Sequence, residues 1–311
     1  MRPMSRGERA LVQWLKERCQ AARLRVPIGL GDDMAAVRLA GQQVLVSADM
    51  LMEGVDYVTA EHSPIQIGRK ALACGLSDCA AMAVRPMAAL VSLALPSDWT
   101  MEQAQGLYEG MRPLEEAFDC PVVGGDTNSW SHPLAVDVIV VAQPWPGVRP
   151  VRRDGARPAD GLYVSGPLGG SRLGRHLDFE PRVQMARRLA EALGDDLRAM
   201  LDISDGLALD LSRLCEASGT GAEIEVERVR NGALHADAQQ AASNDGRSAL
   251  EHGLHDGEDF ELLAACGRSD DEIETPAGRW VRIGRIVESG LALIDGGERT
   301  PLEPRGWEHW K

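Results

Sequence analysis

Aspartates recur along this chain in short glycine-containing or small polar clusters. They are Gly29-Leu30-Gly31-Asp32-Asp33, Ser47-Ala48-Asp49, Ser77-Asp78, Gly124-Gly125-Asp126-Thr127, Asp202-Ile203-Ser204-Asp205-Gly206 and Gly257-Glu258-Asp259. Adjacent ionised carboxylates repel unless a cation stands between them or water screens them. A single Asp-Gly turn is most simply a surface turn. A series of them, each beside an apolar segment, is how a fold supplies oxygen ligands to a hard cation. The other common chemistries leave no trace. The chain has no Walker loop, no kinase-type glycine loop with its lysine, no H-E-x-x-H, no Cys/His zinc spacing and no G-x-S-x-G elbow. Acidic turns with few lysines suit phosphoryl transfer in which magnesium ions neutralise the charge.

Composition narrows the class. With 311 residues, one large or two ordinary domains are expected, and 44% hydrophobic residues are enough for real cores. A net charge of −14 argues against nucleic-acid binding through a basic face. No apolar run reaches the ~18 residues of a membrane span, and no leader-like segment is visible. Cys19, Cys74, Cys79, Cys120, Cys215 and Cys266 are scattered without a C-x-x-C pair. They read as reduced, buried thiols of a cytoplasmic protein.

The elements that must carry the acids can be read locally. Ser5 and Glu8 have capping-box spacing before an amphipathic helix through Cys19. Ala35–Leu39 and Val44–Ser47 form a hairpin around Gly41-Gln42 that delivers Ser47 and Asp49 at its end. Ser63, Pro64 and Gln66 start a long Ala-rich helix that holds Asp78. Met87–Leu95 is a strand, and Thr100 and Gln103 cap a helix running to about Phe118. Pro121–Val123 is a short buried strand ending at Gly124–Thr127, and Leu134–Ala142 is another strand. The breakers Pro144, Pro146, Gly147 and Pro150 mark a boundary between domains 1–146 and 147–311. In the second half, Leu162–Ser165 is a strand, and Gly166–Ser171 is either a phosphate-cradling turn or a plain strand–helix turn. Helices follow at Arg182–Leu193 and from Leu207 to about Ala217, with strands at Met200–Ile203, Ala222–Val226, Phe260–Ala265, Val281–Val287 and Leu291–Ile294. The mixture predicts two α/β or α+β domains rather than one barrel.

In order along nearly the whole chain, these clusters, together with Met50–Val55, Lys70-Ala71-Leu72-Ala73, Leu76–Met82 and Asp259–Leu262, closely resemble the thiamine-monophosphate kinases. That family belongs to the aminoimidazole ribonucleotide synthetase-like superfamily. The resemblance implies an α/β N-terminal domain that binds metal and ATP and pairs its sheet across a homodimer. It implies an α+β C-terminal domain that completes the ATP and substrate cleft. The implied reaction is direct in-line transfer of the γ-phosphoryl group of ATP to thiamine monophosphate, assisted by several Mg2+ ions, with no catalytic side chain. Asp33, Ser47, Asp49, Asp78, Asp126, Asp202 and Asp205 match the family's magnesium positions. Tyr108, Gly125, Asp126, Arg153 and Ser204 match its ATP contacts, and Asp56, Glu258 and Trp307 match its substrate end. For Trp307, C-terminal core packing is an equal alternative, and for Arg153 an ordinary surface arginine.

Three departures stand out. Asp56 replaces a usual histidine, Ala48 replaces a usual threonine, and the stretch between Ser171 and Pro181 is short. Two other functions remain compatible with the residues. One is a superfamily enzyme using ATP on a different small acceptor, and the other is a non-catalytic nucleotide-binding protein.

Overall fold

The computed structural model describes residues 26–29, 31–39 and 42–308. The helix expected over Ser5–Cys19 and the Gly41 end of the first hairpin turn lie outside the described residues.

Residues 35–144 build a five-stranded sheet in the order β1-β2-β5-β3-β4. Its strands are β1 (Ala35–Leu39), β2 (Gln42–Met52), β3 (Val84–Pro96), β4 (Val122–Trp130) and β5 (Ala135–Pro144). Helix α1 (Pro64–Ala81) opens as the sequence predicts. The Ser63 Oγ accepts the Gln66 N–H at 3.3 Å, and the Ser63 N–H donates to Gln66 Oε1 at 3.0 Å. Helix α2 (Met101–Phe118) has the same device at Thr100 and Gln103. Small residues let the two helices approach. A Cβ on Gly68 would stand 1.9 Å from the Leu107 carbonyl oxygen, and one on Gly110 would stand 1.9 Å from that of Ile65.

Side chains alternate along each strand, so the helices cover one face of the sheet. Leu45, Leu51, Val91, Leu93, Val136, Val138 and Val140 are buried there against α1. The opposite rows run Val46–Val141–Ala88, Ala48–Ile139–Leu90 and Met50–Asp137–Ser92–Asp126. No described helix covers them, and Met50 and Met52 are exposed.

Two strands differ from expectation. β2 runs through Met52, so Ser47 and Asp49 lie within it rather than at its end. β4 is a nine-residue exposed edge strand, not a short buried one, and Gly124–Thr127 is part of it rather than a turn. Parallel pairing with β3 from Val122 to Trp130 overrides the poor strand propensity of its Gly, Asp, Asn and Ser residues.

The second half forms an eight-stranded mixed sheet. Its path is β13-β12-β8-β11-β6-β9-β7, with β10 paired to β11. The strands are β6 (Gly161–Val164), β7 (Leu197–Ile203), β8 (Gly221–Glu225), β9 (Glu261–Cys266), β10 (Glu272–Thr275), β11 (Gly278–Val287), β12 (Leu291–Asp295) and β13 (Glu298–Pro301). The helices are α3 (Arg175–Asp178), α4 (Val183–Leu193), α5 (Leu207–Ser218), α6 (Val226–Gly232), α7 (Ala236–Asp245) and α8 (Ala249–His255). The last three lie in a polar stretch with no periodic signal. Ser248 and Glu251 nonetheless form a full capping box on α8. The five cysteines among the described residues are free and buried. No described helix is long and apolar enough to cross a membrane.

Candidate active site

The site forms where α1 of the first sheet meets the C-terminal end of β7. Asp33 comes from the loop before β1, Asp78 from the last turns of α1 and Asp202 from β7. One carboxylate oxygen of each lies within 4.8 Å of the others. The Ser77 Oγ donates to Asp202 Oδ2 at 2.6 Å and ties α1 to β7. Asp49 on β2 adds a fourth carboxylate. Its Oδ2 and the neighbouring Ser47 Oγ are buried and make no hydrogen bond of good geometry, although the Asp78 carboxyl lies close to both.

Electrostatics in this cluster is dominated by burial and like charge. Burial, then Asp49, Asp202 and Asp33, push Asp78 well above the usual carboxylate range. Burial, then Asp33, does the same to Asp202. Asp49 is pushed up to about 6, again chiefly by burial. One guanidinium opposes this excess. Arg153 clasps Asp33 through Nε at 3.0 Å and Nη2 at 2.6 Å. The opening Asp-Asp pair is thereby divided. Asp33 enters the cluster, whereas Asp32 accepts the Arg153 backbone N–H at 2.8 Å and Arg152 Nε at 3.3 Å.

An all-oxygen donor set with poorly satisfied buried oxygens and too little positive charge fits a hard divalent cation such as Mg2+. The residues that would hold it are Asp33, Asp49, Asp78, Asp202 and the Ser47 hydroxyl.

Beside the cluster opens a cavity of about 620 Å³, lined among others by Asp49, Asp56, Ser204, Asp205, Glu258 and Trp307. Asp205 is held by Arg213, which also bonds Asp210 at 2.7 Å, and the Asp205 N–H donates to Asp210 at 2.9 Å. Burial, then Asp205, push Asp210 up to about 7. The Trp307 N–H donates to the Asp205 carbonyl at 2.9 Å, so the chain end is fixed to the same wall. The Arg172 guanidinium lies 5.6 Å from the Trp307 ring centre. Asp56 lines the cavity, and its carboxylate closes the local turn by accepting the Met52 N–H at 2.7 Å.

Other expected residues lie elsewhere. Tyr108 is on the outer side of α2. Asp126 shares a strand row with Ser92, Asp137 and Met50, whereas Asp49 shares its row with Val138, Val91 and Gly125. Side chains in adjacent rows point to opposite faces. Within one chain, therefore, Asp126 is on the uncovered face of the sheet and Asp49 on the helix-covered face. Tyr108, Gly125 and Asp126 do not line the cavity. The Gly166–Ser171 turn is a plain turn rather than an open phosphate cradle. Gly169 donates to both Asp259 oxygens at 3.0 Å and Gly170 to Asp256 at 3.0 Å, so its N–H groups are consumed internally.

The sequence reading gave no role to Lys70, His176 or Arg172. Lys70 opens the Lys70-Ala71-Leu72-Ala73 motif, but a lone lysine in a helix reads as a solvated side chain, and nothing near it in sequence marks its burial.

The chain resembles known proteins along nearly its whole length. Residues 31–143 match the model of the AIR synthase related protein N-terminal domain, and residues 155–294 match that of its C-terminal domain. The thiamine-monophosphate kinase of Rhodopirellula baltica is 36% identical over 302 residues, covering 92% of each chain. That of Aquifex aeolicus is 31% identical over the full length of both. A solved structure described as AaThiL complexed with AMPPCP and TMP superposes with a TM-score of 0.79 at 30% identity, covering 97% of each chain. Hydrogenase maturation protein HypE shares the fold, with a TM-score of 0.66 at 15% identity. By its two matched domains and its full-length relatives, the chain belongs to the AIR synthase related family and, within it, to the thiamine-monophosphate kinases.

Proposed function

We propose that this chain phosphorylates thiamine monophosphate with ATP, giving thiamine diphosphate and ADP. The observation that carries the reading is the carboxylate cluster of Asp33, Asp78 and Asp202 beside a cavity that reaches Glu258 and Trp307. The full-length similarity to a kinase structure holding AMPPCP and TMP supports it.

The acceptor is already a phosphate oxygen, ionised near neutral pH, so no general base is required. The obstacle is the approach of two polyanions. A bound divalent cation would supply charge neutralisation between them. The chain's own residues supply the frame. Asp33, Asp78 and Asp202 bring both domains to one point, and Ser77 fixes Asp202 in orientation. Arg153 stands at the cluster as a guanidinium able to contact a nucleotide phosphate. Ser204 and Asp205 line the passage from the cluster to the substrate end. There, Trp307 offers an aromatic face suited to a thiazolium cation.

The active form in this reading is a homodimer in the cytoplasm, with the change of domain at 146/147. Val46, Ala48, Leu90, Ile139 and Val141 form the uncovered face of the first sheet, and a second copy would cover it. That face also carries Asp126. Asp126 and its neighbour Gly125 would then serve the site of the partner copy rather than their own.

Incubating the purified chain with ATP, thiamine monophosphate and Mg2+, with chromatographic analysis of the products, tests the reading. Thiamine diphosphate formed only with the metal is the expected result. ATP consumption without thiamine diphosphate would overturn the substrate assignment.

A further inference from the structure

Lys70 is fully buried, 1% exposed, and the phosphoryl transfer described above does not use it. It lies on α1 two turns before Asp78, at the floor of the cavity. Its ammonium donates to the Asp56 carbonyl at 2.6 Å and to Glu258 Oε2. His176 on α3 brings Nδ1 to 2.8 Å from the same Glu258 oxygen and to 3.0 Å from Lys70 Nζ. One hydrogen-bond pattern suits all three groups. Lys70 donates to Asp56 and Glu258, and the His176 Nδ1–H donates to Glu258. The approach of Lys70 to His176 is then a consequence of their shared acceptor.

Two features go beyond an ordinary structural ion pair. Both donors converge on Oε2, so Oε1 of this cavity-lining carboxylate keeps its acceptor capacity. Glu258 also has a φ of +66°, a left-handed conformation that side chains larger than glycine adopt at a cost. Its N–H is anchored to the Ser204 carbonyl and the Phe260 N–H to that of Ile203. Backbone strain and two donors, one of them the Lys70 ammonium, thus hold one carboxylate in one pose. Burial alone would raise the Glu258 carboxyl, but His176 and Lys70 outweigh it and hold it below its ordinary value.

We propose that Lys70 is a positioning residue for substrate recognition: from the cavity floor it fixes Glu258 so that one oxygen is committed to the protein and the other is offered to the amino N–H donor on the substrate's pyrimidine ring. This rests on the thiamine-monophosphate reading above. The interaction is made equally in ground and transition states, so its loss falls on KM rather than kcat.

The test is a double-mutant cycle of Lys70→Met and Glu258→Gln, with KM for thiamine monophosphate, KM for ATP, kcat and a thermal melt for each protein. Lys70→Met is expected to raise KM for thiamine monophosphate on the order of 10- to 100-fold, the worth of a hydrogen bond to a charged group. KM for ATP and kcat should stay within about threefold, and Lys70→Arg should restore part of the loss. In the Glu258→Gln background, Lys70→Met should add less than about twofold. If Lys70→Met alone does not fold, the double variant, with both charges gone, is compared with Glu258→Gln directly. Equal KM values then support the proposal. Full additivity, an effect confined to kcat or to ATP, or an unchanged KM would overturn it. Failure of the underlying reading would look different, because the unmodified protein would make no thiamine diphosphate.

Discussion

Asp78→Asn should make the metal-free protein more stable and the enzyme nearly inactive. Asp78 meets Asp33 and Asp202 oxygens within 4.8 Å. At an effective dielectric constant of ~20, each such contact between full charges is worth about 3.5 kcal/mol of repulsion, or about 7 kcal/mol for the two. Proton uptake limits the penalty. Protonating a carboxyl of ordinary value 3.8 at pH 7.5 costs about 5 kcal/mol, so the repulsion cannot exceed that. Arg153 offsets a further share through Asp33. The net gain on substitution is therefore about 2 to 4 kcal/mol, a rise in melting temperature on the order of 5 °C. The new amide also brings two N–H donors into a ring of carboxylate acceptors. The sign with pH follows from the raised carboxyl. A folded-state value above the unfolded one means that the native state holds the extra proton, so the penalty is absent below about 3.8 and grows as pH rises through the folded value. The gap between variant and parent should thus widen from pH 5 to pH 8. Calorimetry in EDTA at both pH values is the assay, with steady-state turnover at saturating Mg2+ alongside. Turnover should fall on the order of 10²-fold or more. A variant that melts below its parent at pH 8 would refute the electrostatic argument. Near-normal turnover would remove Asp78 from the site.

Three further outcomes are expected. Arg153→Met leaves the buried Asp33 carboxylate without its cation and should lower the metal-free melting point by the equivalent of about 3 kcal/mol; saturating Mg2+ should recover part of the loss, and an unchanged melt in EDTA would show that the pair is not holding the junction. Ile139→Glu puts a charge in the middle of the uncovered sheet face and should convert the dimer into a monomer by light scattering, whereas a monomeric parent protein would sink the dimer outright. Asp78→Asn and Asp126→Asn should each be inactive alone, yet mixed and re-associated they should regain about a quarter of the parental activity if Asp126 serves the partner's site. No recovery from demonstrably mixed dimers would return Asp126 to a structural role on its edge strand.

The carboxylate cluster was legible because its chemistry is written in local contrasts. Asp78 stands out in a helix of small apolar residues, and Asp33 and Asp202 stand beside glycine, serine or isoleucine, where a charge needs a reason. The helix starts were legible for a related reason, since capping at Ser63 and Thr100 is decided within four residues. What failed to show depends on distant partners. β4 is a strand only because β3 runs beside it, and Glu258 meets Lys70 across 188 positions of sequence. The Gly166–Ser171 turn was ambiguous because its N–H groups are equally able to meet a phosphate or a carboxylate. Asp259 and Asp256 decided the matter, and they lie about ninety residues away. Helices α6 to α8 pack small apolar faces under polar residues, which leaves too weak a period to find.

The charges at the domain junction do not all pull the same way, and that opposition has a consequence. Arg153–Asp33 and Lys70–Glu258 draw the two halves together, as does the Ser77–Asp202 hydrogen bond. Asp33 and Asp78 on the first half both repel Asp202 on the second across the same seam. A divalent cation held by these carboxylates would reverse the sign of those opposing contacts while leaving the attractive ones in place. Cation binding and closure of the junction are then thermodynamically linked, because whatever binds the closed arrangement more tightly must also favour it. In the proposed reading, a metal would therefore act in the assembly of the cleft as well as in the transfer of the phosphoryl group. It also explains why an acidic cluster that costs stability when empty sits between the domains and not within one of them.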